Sequence, residues 1–143
     1  MTTIERARAI AESAHAGQID KAGAPYIAHP VRVCDAVHGR EAKIVALLHD
    51  VVEDSDDWTL ARLRDEGFSR QIVDAVDALT HREGEDYFDA VRRARANELA
   101  RTVKLADLAD NSDRTRLGTV TEDDERRLEK YARARAVILD GGD

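Results

Sequence analysis

Four polar side chains, His49, Asp50, Glu53 and Asp54, stand close together in an otherwise aliphatic stretch, ALLHDVVED. On one continuous helix they would share a face, and that face has no lysine or arginine to balance its three carboxylates. Like charges one helical turn apart repel each other. The face is therefore either an ordinary solvated acidic surface with a stray histidine, or one wall of a cation site. This stretch alone leaves both interpretations open.

Two further stretches supply side chains of the kind that bind metals. In KLADLADN, Asp107 stands among apolar neighbours on a predicted helix, and in PYIAHP, His29 directly precedes Pro30. The proline restricts the backbone of the histidine and so limits where its ring can point. With His49 and Asp50, these residues form a mixed set of imidazole nitrogens and carboxylate oxygens. Such a set suits Mn²⁺, Fe²⁺ or Zn²⁺ better than Ca²⁺ or Mg²⁺.

Composition limits the classes of protein to consider. The chain has 143 residues, 43% of them hydrophobic and 36% charged, and a formal net charge of −7. These values are typical of one globular domain and argue against a general binder of nucleic-acid polymers. No apolar run reaches the ~20 residues of a membrane span, and the N-terminus lacks the pattern of a signal peptide. Cys34 has no second cysteine to pair with, so a reducing, cytoplasmic location is expected.

Helical patterns account for most of the chain, and no alternating β pattern of useful length is present. Thr3, Thr59 and Ser69 are predicted helix caps, and Gly67 is a predicted break. Helices are predicted over 4–14, from Pro30 through Val37, and over 41–54, 60–66, 70–80, 87–97, 98–112 and 122–138, with loops at 17–26 and 81–86. The prediction is a single all-α domain over residues 1–143.

The motifs together resemble a known family. In order, HAGQIDKAGAPYIAHP, ALLHDVVED, LT and VKLADLADN resemble the hydrolase domain of the RelA/SpoT alarmone enzymes and their small stand-alone relatives. These domains belong to the HD superfamily of metal-dependent phosphohydrolases. The resemblance runs from about His15 to Asn111 and implies a compact HD-type helical bundle.

The resemblance also implies roles for particular residues. One divalent ion is expected, Mn²⁺ first, with Fe²⁺ or Zn²⁺ as the other choices. Glu53 and Asp54 would act in water activation and proton transfer, because a carboxylate beside the metal can orient water or take its proton. The ligands implied by the family motifs are His29, His49, Asp50 and Asp107.

Substrate contacts are assigned in the same way. Lys21 matches a basic position of the family motif and could hold a phosphate, although a lone loop lysine is usually solvated. Lys104 and Asn111 are expected to hold neighbouring carboxylates and contact the nucleotide. One position departs from the family: Asp20 stands where the alarmone hydrolases have an arginine that stacks on guanine. A carboxylate cannot stack in this way, so weak discrimination between bases is expected.

The implied function is hydrolysis of a phosphorylated nucleotide. The family type is removal of the 3′-pyrophosphate from guanosine alarmones, (p)ppGpp, which gives GDP or GTP and pyrophosphate. An HD phosphatase acting on another nucleotide is one alternative, and a non-catalytic metal-binding regulatory domain is another. The Glu53-Asp54 pair argues against the second, since a binding module needs no water-activating carboxylate. No nucleic-acid polymer or membrane is expected as a partner, and homo-oligomerisation is left open.

Overall fold

The computed structural model describes residues 3–140, and within this range it contains α-helices joined by short loops and no β-strand. This confirms the predicted all-α class. The helices are α1 (Ile4–Ala14), α2 (Ala28–Ala36), α3 (Arg40–Leu48), α4 (Val51–Asp54), α5 (Leu60–Asp65), α6 (Arg70–Leu79), α7 (Tyr87–Arg95), α8 (Glu98–Asn111) and α9 (Glu122–Asp140), with a short 3-10 helix at Arg114–Arg116. Between residues 3 and 140, no helix is both long and apolar enough to cross a bilayer.

Helix α3 forms the centre of the core. Ile44, Val45 and Leu48 are fully buried, and the helix packs against α1, α2, α6 and α8. A second apolar cluster joins α8 to α7 and α9. Because α8 belongs to both packing regions, the side chains on it are held against α2 on one side and α9 on the other.

The predicted caps are confirmed. The hydroxyls of Thr3, Thr59 and Ser69 accept hydrogen bonds from the backbone N–H three residues later, at 3.0 to 3.2 Å. Each bond satisfies one of the N–H groups that a helix start leaves without a partner. Gly67, with a φ of 96°, separates α5 from α6 as predicted.

The prediction of one helix over residues 41–54 is wrong. The helix ends at Leu48, and a new helical turn begins at Val51. The imidazole Nδ1 of His49 bonds the carbonyl oxygen of Ala46 at 2.5 Å. A continuous helix would use that oxygen for the backbone N–H of residue 50, so the side chain takes the place of the next helical bond. His49 and Asp50 therefore lie in a turn between two helices.

Arg93 connects the start of the loop after α6 to α7. Its guanidinium donates to the carbonyl oxygens of Asp77 and Thr80 at 2.8 and 2.7 Å, and to both carboxylate oxygens of Glu85 at 2.7 and 2.9 Å. From its sequence alone, the basic stretch at residues 92–95 could either contact phosphate or form an exposed helical face. Arg93 fits neither, because these bonds occupy its guanidinium in closing the 81–86 loop.

Glu85→Gln is expected to lower the stability of the protein at neutral pH but not in strong acid. The hydrogen bonds from Arg93 lower the pKa of Glu85 from 4.5 to about 2. A carboxyl group with a lowered pKa stabilises the fold above its unfolded pKa and loses that contribution as the pH falls from about 4.5 towards 2. We expect a loss of ~1 kcal/mol in the free energy of unfolding at pH 7. Urea midpoints at pH 7 and pH 3, with the exposed Glu83→Gln as control, test this; an equal loss at both pH values would contradict it.

Candidate metal centre

Two buried histidines from separate parts of the fold lie close together. His29 lies in the first turn of α2, and His49 lies in the turn between α3 and α4. Their side chains are 6% and 4% exposed, and the ring centroids are 5.4 Å apart. Pro30 suits the first turn of a helix, where its missing N–H is not needed. The helix begins at Ala28, two residues before the predicted start at Pro30, so His29 lies inside the helix and not before it.

The outer nitrogens of both rings are already bonded. His49 Nδ1 must donate to the Ala46 carbonyl, because a carbonyl oxygen only accepts. His29 Nδ1 lies 2.6 Å from the Asp110 Oδ2 atom. Each ring is thereby oriented with Nε2 towards the interior of the site, as in metal-ligating histidines whose other nitrogen is held by an oxygen acceptor.

Carboxylates surround these inner nitrogens. His29 Nε2 lies 2.9 Å from Asp107 Oδ1 and 3.8 Å from Asp50 Oδ2, while His49 Nε2 lies 3.4 and 3.1 Å from the same two oxygens. Candidate ligand atoms of His29, His49 and Asp50 all lie within 4.8 Å of one another. The structure therefore brings together the four residues predicted as ligands, which we call the ligand group.

The chemistry of this group fits a divalent cation. His49 Nε2 is buried, and although carboxylate oxygens of Asp50 and Asp107 lie 3.1 and 3.4 Å away, neither meets it in good hydrogen-bond geometry. A buried polar atom in this position is costly unless something binds there. Burial alone would lower the pKa of His49, but Asp50 and Asp107 raise it well above the ordinary value. Two carboxylates that attract a proton to this nitrogen also attract a metal ion, and the two cations compete for it. Two imidazoles and two carboxylates can hold one divalent ion.

Lys104 and two neutral donors hold the carboxylates in place. Tyr26 donates its hydroxyl to Asp50 Oδ2 at 2.5 Å. Lys104 Nζ lies 3.1 Å from Asp107 Oδ2, and the Asn111 amide donates to Asp107 Oδ1 at 3.2 Å. Burial would raise the pKa of Asp107, but Lys104 and the two histidines keep it well below its usual range. Asp107 is therefore a carboxylate and can act as a ligand.

Glu53 and Asp54 lie on α4, directly after the ligand group. Both residues are exposed to solvent, but partial burial of their carboxyl groups, and then the charge of Asp50, raises the pKa of each. Glu53 lines a cavity of about 140 Å³ together with His49, Asp50, Lys104 and Asp107; we call this the smaller cavity. Asp54 is not among the residues that line it. The structure thus places Glu53 in the smaller cavity, while Asp54 lies near the ligand group on the side of His15 and Tyr26, where the charges of Asp50, His15 and His49 act on it.

A larger cavity, of about 300 Å³, adjoins the ligand group on another side. Tyr26 and Asn111 line it, and these residues also bond Asp50 and Asp107. Lys21 lies in the same cavity, where burial, followed by the positive charge of Arg127, lowers its pKa. The predicted substrate residues are therefore divided: Lys21 and Asn111 line the larger cavity, and Lys104 lines the smaller one.

Sequence reasoning missed two residues that orient the ligands. Tyr26 lies inside the PYIAHP motif but was given no role, and Asp110, which accepts from both His29 and Arg32, was not considered. Asp110 follows Asp107 by three residues, so the helical spacing that placed Asp107 on an inner face also indicated Asp110. The KLADLADN motif thus already contained the three-residue spacing that puts Asp110 near the same face as Asp107.

The remaining histidines and the cysteine do not belong to the ligand group. His15 is buried, with Nδ1 2.9 Å from Gln18 Oε1 and its ring against Tyr26. His38 is exposed, and Cys34 is buried in α2. His81 is also exposed, but it lines the smaller cavity.

Asp110→Asn is expected to weaken metal binding without removing it. The substitution keeps the size of the side chain but removes the charge that orients His29 and pairs with Arg32. Loss of such an outer partner costs 10–100-fold in metal affinity in typical sites, so about tenfold or more is expected. Titration of the metal-free protein with Mn²⁺ measures the change, with Asp113→Asn as control. Unchanged affinity would mean that Asp110 does not orient the ring.

Two of the known proteins that match the chain have the same name and come from different bacteria. The chain is 39% identical, over 85% of its length, to a guanosine-3′,5′-bis(diphosphate) 3′-pyrophosphohydrolase of Haemophilus influenzae, and 30% identical, over 76%, to the protein of the same name from Aquifex aeolicus. It spans only 20% and 17% of these two proteins. No protein-family model matches the chain.

A solved structure supports the fold. The chain matches one described as a metazoan ortholog of SpoT that hydrolyses ppGpp, with a TM-score of 0.75 and 23% identity; the match covers 96% of this chain and 85% of that one. The fold is all-α and matches the HD-type fold of hydrolase domains. More narrowly, the resemblance predicted from the motifs is confirmed: the chain is similar to the hydrolase domain of the RelA/SpoT alarmone enzymes.

Proposed function

We propose that this domain hydrolyses guanosine 3′-pyrophosphate alarmones, (p)ppGpp, to GDP or GTP and pyrophosphate. The observation that carries the proposal is the buried ligand group, which lines the same cavity as Glu53 and is bonded by Tyr26 and Asn111 of the larger cavity that Lys21 lines. The names of the curated relatives and of the structural match support the same reaction.

Mn²⁺ is the proposed ion, and the predicted ligands are His29, His49, Asp50 and Asp107. The nitrogen and oxygen ligand set supports a transition metal of this kind, with Fe²⁺ or Zn²⁺ as the other choices. Such an ion, when bound, lowers the pKa of coordinated water and offsets phosphate charge.

Glu53 is the proposed general base. In the reaction, a water oxygen bonds to the phosphorus next to the ribose, the 3′ O–P bond breaks, and the ribose oxygen takes a proton. Glu53 would accept the proton of the water, because its raised pKa makes it a better base than a free carboxylate. Asp54 is proposed as its partner in proton transfer. Lys104 would hold Asp107 and face the diphosphate from the smaller cavity.

Lys21 and Asn111 are the proposed contacts of the nucleotide in the larger cavity. A volume of about 300 Å³ lies at the lower end of the range for small-molecule sites. Arg116 and Arg127 line the same cavity and would add positive charge for phosphate groups. The 140 Å³ of the smaller cavity suits a diphosphate better than a nucleoside.

A panel of nucleotides tests the proposal. The Mn²⁺-loaded protein is incubated with ppGpp, pppGpp, GTP, dGTP, and 2′- and 3′-monophosphates, and the products are separated by ion exchange. We expect turnover of ppGpp and pppGpp, the two 3′-pyrophosphates, and none of GTP or dGTP, which have no 3′-pyrophosphate. Selective turnover of a different nucleotide would favour the alternative HD phosphatase, and no turnover with a full complement of metal would favour a regulatory domain.

A further inference from the structure

Asp20 closes its own loop through only one of its two carboxylate oxygens. Oδ1 accepts hydrogen bonds from the backbone N–H groups of Ala22 and Ala24, both at 2.9 Å. The loop is tightened further by a bond from the Asp20 N–H to the Ala24 carbonyl at 2.8 Å. The carboxylate is therefore held in one orientation, and Asp20 lines the larger cavity.

The other carboxylates that line this cavity are already engaged. Asp124 accepts from the Thr121 N–H through Oδ2 and pairs with Arg127 through Oδ1. Asp113 accepts from the N–H and hydroxyl of Thr115 through Oδ1, and its Oδ2 lies 3.9 Å from Arg116 Nε. Asp20 Oδ2 accepts no hydrogen bond from the described part of the chain and has no ion-pair partner there. Asp113 Oδ2 likewise accepts no hydrogen bond within residues 3–140, but it lies within ion-pair distance of Arg116. Among the described carboxylate oxygens that line this cavity, Asp20 Oδ2 is therefore the one with neither kind of contact, and it is the oxygen left to meet a ligand.

The side chains around Asp20 give the larger cavity a positively charged part, which suits phosphate, and an apolar part, which suits a base. Lys21, Arg116 and Arg127 provide positive charge, whereas Ile19 and Tyr131 provide apolar surface. An unpaired carboxylate oxygen repels phosphate but accepts hydrogen bonds from N–H groups. Guanine presents two adjacent donors on its Watson–Crick edge, N1–H and the N2 amino group. Adenine presents one amino group there beside an acceptor, N1, which a carboxylate oxygen repels.

We propose that Asp20 is a specificity residue that reads guanine through Oδ2 in the larger cavity. The inference rests on the proposed function for the class of nucleotide, and adds how the base is selected. It replaces the expectation of weak discrimination, which considered only the lost stacking of an arginine. A fixed hydrogen-bond acceptor can discriminate between bases without stacking, because the wrong base leaves it unpaired.

Asp20→Asn separates base reading from the structural role of the residue. Asparagine retains an oxygen for the N–H groups of Ala22 and Ala24, so the loop is kept, but it replaces the free oxygen with an NH₂ donor. We expect the unmodified protein to favour guanosine over adenosine 3′,5′-bis(diphosphate) by about tenfold or more, and the variant to lose or invert this preference. Asp113→Asn is the matched control, because Asp113 closes its own turn in the same cavity and should leave the ratio unchanged.

Two readouts distinguish this inference from the proposed function. Binding of both nucleotides is measured by calorimetry in the Glu53→Gln background with Mn²⁺, and hydrolysis is measured with Glu53 intact. A guanine preference in binding that Asp20→Asn removes supports the inference. No preference, no binding of either nucleotide, or a preference that survives Asp20→Asn overturns it. Base-selective binding without hydrolysis would leave the role of Asp20 standing and contradict the proposed reaction.

Discussion

Asp50→Asn is expected to remove the bound metal and reduce hydrolysis to background. The substitution keeps the size of the side chain and an oxygen that can accept the Tyr26 hydroxyl. It removes one of the two negative charges that face His29 and His49. A divalent ion needs that charge as well as the imidazole nitrogens. The affinity for Mn²⁺ should therefore fall by more than the roughly 100-fold seen when a residue that only orients a ligand is lost.

Elemental analysis after dialysis against dilute Mn²⁺ measures the metal, and a thermal shift gives a second readout. A ligand that binds only the folded state raises its melting temperature, so Mn²⁺ should stabilise the unmodified protein but not the variant. Asp56→Asn, an exposed carboxylate two residues after α4, is the matched control and should retain metal and activity. Stoichiometric metal in the Asp50 variant would show that the ligand assignment is wrong.

Glu53→Gln should leave the metal in place and slow the reaction. Glutamine has the same shape but cannot accept a proton, so kcat is expected to fall by the roughly 10²–10⁴-fold typical of losing a general base. The KM for nucleotide should change little, because the loss falls on the transition state rather than on binding. Steady-state kinetics at saturating nucleotide, together with metal analysis, separate these effects.

Two further variants show whether the effect is specific to Glu53. Glu83→Gln, at an exposed position of the 81–86 loop, should have no effect on kcat. Asp54→Asn should have a smaller effect than Glu53→Gln, since Asp54 does not line the smaller cavity. A kcat that is unchanged in Glu53→Gln would exclude Glu53 from the chemistry, and a larger effect at Asp54 would reverse the proposed roles.

The helices were predictable because each depends on local signals. Apolar spacing and the caps at Thr3, Thr59 and Ser69 are properties of neighbouring residues, and the structure reproduces them. The break at His49 was not predictable in this way. It depends on a side chain that bonds the Ala46 carbonyl, and periodicity shows only that residues 41–54 are apolar at helical spacing.

The four predicted ligands and two of the residues that hold them, Lys104 and Asn111, could be named from the sequence, but the contacts made by Tyr26 and Asp110 could not. Ligand residues are marked by unusual types at apolar positions, such as Asp107, which is buried in α8. Supporting contacts depend on which helices meet: Asp110 reaches His29 only because α8 packs against α2. In the same way, residues 19–26 and 111–131 line one cavity although they are far apart in sequence, so the free oxygen of Asp20 was visible only in the structure.

The central claim is that this domain removes the 3′-pyrophosphate of a guanosine alarmone. Phosphorus NMR of ppGpp incubated with the Mn²⁺-loaded protein tests it most directly, because the products identify the bond that breaks. The account predicts equal amounts of pyrophosphate and GDP, with no orthophosphate, and loss of both signals in Glu53→Gln. Release of orthophosphate instead, or an unchanged ppGpp spectrum with one metal ion bound per chain, would contradict it.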